Sequence, residues 1–225
     1  RLRSATAAAG APAAASAPAS LLGPVATAIE NELNDRVGLR GLKRSLVGMG
    51  KAIDYQKATG GDTSFPPNMV LIGQPGSGKT SIVERIHRGL ANGGVLKGEL
   101  VTINGTRDVG PHPQTQIQCF EEALEEAGEG GMLFIDEIGQ LTKTRKGFLN
   151  GLLHATGNTH KGKIVFVIAH YPDDMENFFN TADSGFKSRF DYTNKGGWHT
   201  FDPYTADDLV RIAEIEMAKL NTPPS

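Results

Sequence analysis

The sequence predicts an α/β fold in which a parallel sheet of five strands is covered by helices on both faces. Three observations predict it. Short β-rich runs recur at Asn68 to Ile72, Leu100 to Ile103, Met132 to Ile135, Lys163 to Ile168 and His199 to Phe201, with helical stretches between the first four. These runs are mostly apolar throughout, as strands buried on both faces must be. The first run ends in a glycine-rich turn, Gly73 to Gly78, that opens directly into a helical pattern.

Taken in order, residues 1–20 are dominated by Ala, Ser and Pro, carry Arg1 and Arg3 and contain no acidic residue, so they are not expected to pack. They read either as the remnant of an organellar transit peptide, which would put the protein in a plastid or other organelle, or as a linker in a larger, otherwise cytoplasmic protein. Leu42, Leu46, Met49 and Ile53 recur at helical spacing and give a helix to about Ala58, closed by Gly60 and Gly61. The α/β domain is expected over 21–203. Thr205 and Asp208 form a capping box ahead of Leu209, Ile212, Ala213, Met217 and Leu220, so a further helix occupies 204–225.

Composition narrows the function. With 23 basic and 25 acidic side chains in 225 residues, the net charge is -2, and no overall field draws the chain to nucleic acid or an anionic membrane. The longest apolar run, Ile164 to Ala169, is far short of the about 20 residues that cross a bilayer. Neither a nucleic-acid nor a membrane partner is expected. The single cysteine, Cys119, cannot form an intramolecular disulfide and reads as a small apolar residue. The acidic series Glu121, Glu122, Glu125, Glu126 and Glu129, on a helix with Ile117, Phe120 and Leu124, reads as a solvated helix face.

Gly73-Gln74-Pro75-Gly76-Ser77-Gly78-Lys79-Thr80 satisfies the full G-x-x-x-x-G-K-[ST] pattern in the required strand-to-helix context. Glycines let successive backbone N–H groups turn toward phosphate oxygens, and the helix that follows aims its positive end at them. Gly73, Pro75, Gly76, Ser77, Gly78, Lys79, Thr80 and Ser81 are therefore the expected contacts for ATP or ADP. Lys79 would reach the terminal phosphates and Thr80 would ligate Mg²⁺. Four apolar residues, Met132 to Ile135, put Asp136 at the carboxyl end of a buried strand, where it supplies the second Mg²⁺ anchor. Glu137 follows as the general base for an attacking water, and its presence favours a hydrolase over a small-molecule kinase.

Beyond these generic motifs, the chain resembles the AAA+ ATPases, and more narrowly the CbbX group. That group takes in red-type Rubisco activases, relatives of stage V sporulation protein K and the ATPases of type VII secretion. The resemblance rests on DRVGLRGLK at 35–43, GQPGSGKT, GGMLFIDEIGQL, VFVIAHYPDDMENFF at 165–179 and SGFKSRF at 184–190. It implies an AAA+ three-layer sandwich on a parallel five-stranded sheet, with the start of a helical lid at the C-terminus. It also implies that Val37 and Gly38 flank the adenine and that Arg189 is an arginine finger acting in trans, since a guanidinium stabilises charge on the transferred phosphoryl group. The working form would then be a ring, a hexamer of this or related AAA+ subunits, acting on a protein substrate with inhibited Rubisco as the sharpest candidate.

Four departures from the pattern carry weight. The family's loop around VGQYIGHT, whose aromatic grips substrate, is represented by the shorter DVGPHPQTQ, with only His112 between two prolines. His170 stands in Ala169-His170-Tyr171 where AGY is usual and could position a water, or simply repack the strand end. Lys187 replaces the first Arg of a common RSR, keeping the charge without the fork. Only the first lid helix fits before Ser225, so the chain is either a fragment or an ATPase without lid sensing. The alternative to an active remodeller is a nucleotide-binding regulatory or scaffold subunit of a mixed ring.

Overall fold

The computed structural model describes residues 23–60 and 66–220, so the expectations for segment 1–20 and the last residues of segment 204–225 lie outside the described residues. Its strands are β1 (Met69–Ile72), β2 (Leu100–Asn104), β3 (Met132–Asp136), β4 (Val165–His170) and β5 (Trp198–Thr200), all parallel, in the order β2-β3-β4-β1-β5. The helices are α1 (Pro24–Leu33), α2 (Arg40–Thr59), α3 (Lys79–Asn92), α4 (Pro113–Ala127), α5 (Leu141–Thr144), α6 (Lys146–His154), α7 (Pro172–Thr181), α8 (Gly185–Arg189) and α9 (Ala206–Leu220).

Alternation along each strand splits the core in two. Met132 and Phe134 of β3 and Val165 and Val167 of β4 join the cluster built from α1, α2 and α3. Leu133 and Ile135, with Phe166 and Ile168, face the cluster that holds α4, α6, α7 and α8. A sheet buried on both faces explains why its strands read as apolar runs rather than alternating ones. Chain leaves β1 toward β2 through α3 on one face and leaves β4 toward β5 through α7 and α8 on the other. The crevice beyond the carboxyl ends of β1 and β4 is therefore a topological switch point, where open α/β sheets collect ligands.

Helix α1 was not anticipated, although Gly23-Pro24 followed by Val25, Ile29 and Leu33 carries a helix start and an i, i+4, i+8 apolar stripe. It lies in a groove floored by glycines. A Cβ on Gly50 would come within 2.7 Å of Ala26 Cα, and Cβ atoms on Gly89 and Gly93 within 2.9 Å of Ile29 Cα and Val25 Cα. Neither α1 nor α2 has a side-chain cap of its own. Distant carboxylates do this work: Asp54 accepts from Val25 and Ala26 N–H at 3.0 and 2.9 Å, and Asp202 from Gly41 and Leu42 N–H at 2.6 and 3.2 Å.

Other expectations meet specific outcomes. The Thr205–Asp208 capping box forms, with Asp208 N–H donating to Thr205 Oγ1 at 3.2 Å and Thr205 N–H to Asp208 Oδ2 at 3.0 Å. Of the apolar residues named on α4, Ile117 is 48% exposed, and Gln116 beside it is buried. That burial is stable because Gln116 is fully bonded, donating to the carbonyls of Pro111 and Thr144 and accepting from Gly147 N–H. Cys119 is half-buried against the Asp108 carbonyl, and its thiol is pushed up by burial and the nearby Asp108 and Glu122. Among the described residues no helix is long and apolar enough to cross a membrane.

Candidate nucleotide site and a detached arginine

The Gly73–Gly78 loop crosses the carboxyl end of β1. Its first N–H, of Gly73, donates to the His170 carbonyl on β4 at 3.3 Å, and the backbone is left-handed at Gly76 (φ 72°) and Gly78 (φ 88°), which favours glycine. Gly73 is excluded from bearing a side chain for another reason: a Cβ there would meet Ser77 Oγ at 2.6 Å and Phe201 at 3.0 Å. The loop thus presents bare backbone to the head of α3. Ser77 Oγ is buried without a hydrogen-bond partner. Lys79 is almost fully buried, donates to the carbonyls of Gly73 and Gln74 at 3.1 and 3.3 Å, and places Nζ 4.9 Å from the centre of the Tyr171 ring. Thr80 is exposed and Ser81 half-buried on the first turn of α3.

A bare cradle, an unpartnered buried hydroxyl and a cation bonded only to its own loop fit a phosphate chain, which would satisfy all three. Burial holds Lys79 below the ordinary lysine value while Asp136 and Glu137 oppose it. Burial likewise raises Asp136 above the usual carboxylate range, with Lys79 opposing. Both shifts are those of groups held away from water, opposed in part by the opposite charge nearby.

Glu137 sits in the left-handed region, φ 57°, immediately after β3. That conformation is uncommon for a residue with a side chain and clusters at functional turns. Its Oε2 accepts from Thr106 Oγ1 at 2.6 Å, and burial, with Glu137 and Asp136 nearby, pushes the Tyr171 hydroxyl up. Thr106 follows β2, Glu137 follows β3 and Tyr171 follows β4, so three neighbouring strand ends converge on one carboxylate. Sequence reasoning missed Thr106 and Tyr171, because nearness to Glu137 depends on the β2-β3-β4 order, which no local motif displays.

His170 is buried at the end of β4. Both ring nitrogens lack a hydrogen-bond partner, Nε2 lies 3.8 Å from Asp174 Oδ2, and burial lowers its pKa. Its ring fills the space over Gly139, where a Cβ would come within 2.5 Å of Nε2. It forms one wall of a cavity of about 340 Å³ with Gln140, Thr142, Asp174 and Asn177. Val37 and Gly38 lie half-buried between α1 and α2, Gly38 in the left-handed region and a Cβ on it 3.1–3.2 Å from Asp208 and Tyr204. The segment expected to flank the adenine therefore touches the start of α9.

Arg189 is not with the others. Asn68, at the amino end of β1, donates to its carbonyl at 3.1 Å and accepts from Phe166 N–H near the amino end of β4. The guanidinium donates from Nη1 to the Gly185 carbonyl, lies against Gly157, and borders a cavity of about 640 Å³ with Pro66, Pro67, Lys161 and Ser188. The phosphate loop and Arg189 thus occupy opposite rims of the same sheet, about four strand residues apart, or roughly 13 Å of strand rise. The residues around Arg189 are mostly core: Phe178, Phe179, Phe186 and Phe190 are buried, and Trp198 Nε1–H donates to the Phe190 carbonyl at 2.6 Å.

Known proteins are similar to this chain in sequence and in fold. The ESX-1 secretion system protein EccA1 of Mycobacterium leprae is 28% identical over 201 residues, covering 84% of this chain and 34% of that protein. The ESX-3 secretion system protein EccA3 of Mycolicibacterium smegmatis is 30% identical over 204 residues, covering 84% and 32%. The chain spans about a third of the length of these relatives. Among solved structures, RuvB of Thermotoga maritima superposes with a TM-score of 0.58 at 20% identity, over 84% of this chain and 55% of that one, a likeness of fold. Residues 69–191, more than half of the chain, match the ATPase family associated with various cellular activities (AAA), and the chain belongs to that family.

Proposed function

We propose that this domain binds and hydrolyses ATP as one subunit of a ring that remodels protein substrates. The observation that carries the reading is the separation of Arg189 from the phosphate loop. A subunit with its base and phosphate cradle on one rim and its arginine on the other has half of a site at each end, and a head-to-tail ring joins the halves. Gly73 to Ser81 would hold the phosphates, with Val37 and Gly38 at the adenine. Thr80 and Asp136 would hold Mg²⁺, which neutralises charge on the phosphates when bound. Glu137 takes the proton of the attacking water, and to do so its carboxylate leaves Thr106, which restrains it in this structure. The neighbour's Arg189 stabilises the developing charge. His170 acts on the site through the strand end and Gly73 rather than through a hydrogen bond of its ring.

The substrate class follows from the resemblance to the CbbX group and from the relatives, which are proteins of secretion systems; Rubisco as substrate rests on the resemblance alone. Helix α9, with Leu209, Val210 and Met217 exposed, would be the first helix of the lid. A second reading, a regulatory subunit in a mixed ring, draws on the 105–112 segment. It lacks an aromatic and is tied down, with Arg145 Nε donating to the Val109 carbonyl at 3.0 Å and Gln116 to that of Pro111. The test is phosphate release alongside nucleotide titration. Glu137→Gln is expected to bind ATP like the wild type and to lose about 10²-fold or more of turnover, while Lys79→Ala loses binding. Undiminished hydrolysis by Glu137→Gln would overturn the assignment, and hydrolysis appearing only on mixing with a related ATPase would select the second reading.

A further inference from the structure

We infer that Arg36 is a nucleotide-binding residue that contacts the phosphate chain within its own subunit, a second cation opposite Lys79; the inference rests on the proposal that the loop holds ATP. Arg36 lies in the connection between α1 and α2, before the first strand of the sheet, within the DRVGLRGLK stretch but without a role assigned to it there. Its Nη2 nevertheless reaches the phosphate loop, 3.3 Å from where a Cβ on Gly78 would stand. Gly78 is the left-handed residue that caps α3, so the guanidinium sits beside the N–H groups that open that helix. A cation at the positive end of a helix is unfavourable unless an anion lies between them.

The surroundings fix this placement. The Arg36 carbonyl accepts from Lys43 Nζ at 2.5 Å and its N–H donates to the Leu33 carbonyl at 3.2 Å, tying its backbone to both flanking helices. The neighbouring carboxylate, Asp35, is engaged elsewhere by a two-point pair with Arg85 of α3, at 2.6 and 2.9 Å. Arg85 also donates to the Glu32 carbonyl, and Arg88 pairs with Glu32 at 2.9 Å, so the end of α1 is clamped along α3. Among the described residues the Arg36 guanidinium itself makes no hydrogen bond. It is half-buried, held over the loop by backbone contacts, and keeps its five donors available. A planar fork of this kind matches phosphate oxygens better than an ammonium does.

The ligand class is therefore a nucleoside di- or triphosphate held by its phosphates from two sides. Binding of fluorescent ATP, fluorescent ADP and unlabelled adenosine is measured for wild type, Arg36→Ala, Arg36→Lys and Lys79→Ala, with thermal melts to check folding. The backbone pins of Arg36 survive a side-chain change, so the variants are expected to melt like the wild type. Arg36→Ala should weaken ATP and ADP by about 10-fold or more, the range of a charge-assisted hydrogen bond, and leave adenosine unchanged; Arg36→Lys should recover part of the loss. ATP binding by Arg36→Ala equal to wild type, or equal weakening of adenosine, would overturn the phosphate contact. Failure of the wild type to bind ATP, or unimpaired binding by Lys79→Ala, would instead overturn the nucleotide reading itself.

Discussion

At the carboxyl rim of the sheet the groups proposed to act on ATP hang on loops, whereas at the amino rim the arginine proposed to act in trans stands on a core. Gly76, Gly78 and Glu137 hold left-handed backbone, Ser77 Oγ is buried unpartnered, and the Glu137 carboxylate is steadied by Thr106 from a neighbouring strand end. Arg189 instead ends a short helix wedged by Phe178, Phe179, Phe186 and Phe190, with its carbonyl fixed by Asn68. The difference fits the roles proposed for each rim. A surface that receives a flexible phosphate chain needs a bare cradle, while a group that serves a neighbouring molecule must be delivered at a fixed position; each rim keeps one buried donor without a partner, Ser77 Oγ and Arg189 Nε.

The largest effect that could break this contrast concerns Arg189. Arg189→Ala should lower turnover by about 10³-fold with ATP affinity of the isolated chain unchanged. Mixing it with inactive Glu137→Gln should restore part of the phosphate release, because some junctions then pair an intact base with an intact arginine. No recovery on mixing, with rings formed, would place both residues in one subunit's site.

Acid should act through two buried histidines. His199, buried in β5 with Nδ1 2.8 Å from Ser45 Oγ, is held by burial at about 4, and burial lowers His170 as well. Burial disfavours the charged form of both in the folded protein, so the unfolded chain takes up more protons as pH falls below about 6.5. Stability should be complete above that value and decline between about pH 6.5 and 4, by on the order of 3 kcal/mol for His199. Denaturant melts across that range check it; His199→Gln should flatten the profile, and an unchanged slope would contradict the burial argument.

A smaller effect tests how tightly the carboxyl rim is packed. Gly139→Ala drives a methyl into the His170 ring and should destabilise by about 2 kcal/mol. His170→Ala should relieve it, giving a coupling energy in a double-mutant cycle measured by urea unfolding. Additive losses would mean that the ring does not fill that space. Smaller still, Asn68→Ala removes a pin from the amino rim, with an expected cost of about 1 kcal/mol and a fall in turnover rather than in ATP affinity. An equal loss of affinity would show that the two rims are not separable.

Much of this was legible residue by residue. The five strands fall within two residues of where β-rich runs place them, since apolar runs bounded by turn residues report burial directly. The phosphate loop, Asp136 and Glu137 were legible because their chemistry is local, set by a strand end and the turn that follows. Helix α1 was passed over because it is short and abuts a segment without packing signals, although its apolar spacing is present. Gln116 is buried while Ile117 beside it is exposed, because a bonded glutamine competes well for a buried site.

By itself, then, the sequence determined the parallel α/β sandwich, the phosphate loop and its acidic partner, and the arginine that follows the aromatic series. Each depends on periodicity or on residues adjacent in the chain. Only the tertiary structure decided that Arg189 stands at the rim away from the loop, that Thr106 holds Glu137 with Tyr171 nearby, that Asp54 and Asp202 cap helices α1 and α2, and that Arg36 reaches Gly78. These contacts join residues up to 161 positions apart. Strand order and helix packing bring them together, and neither is written in any local stretch of the chain.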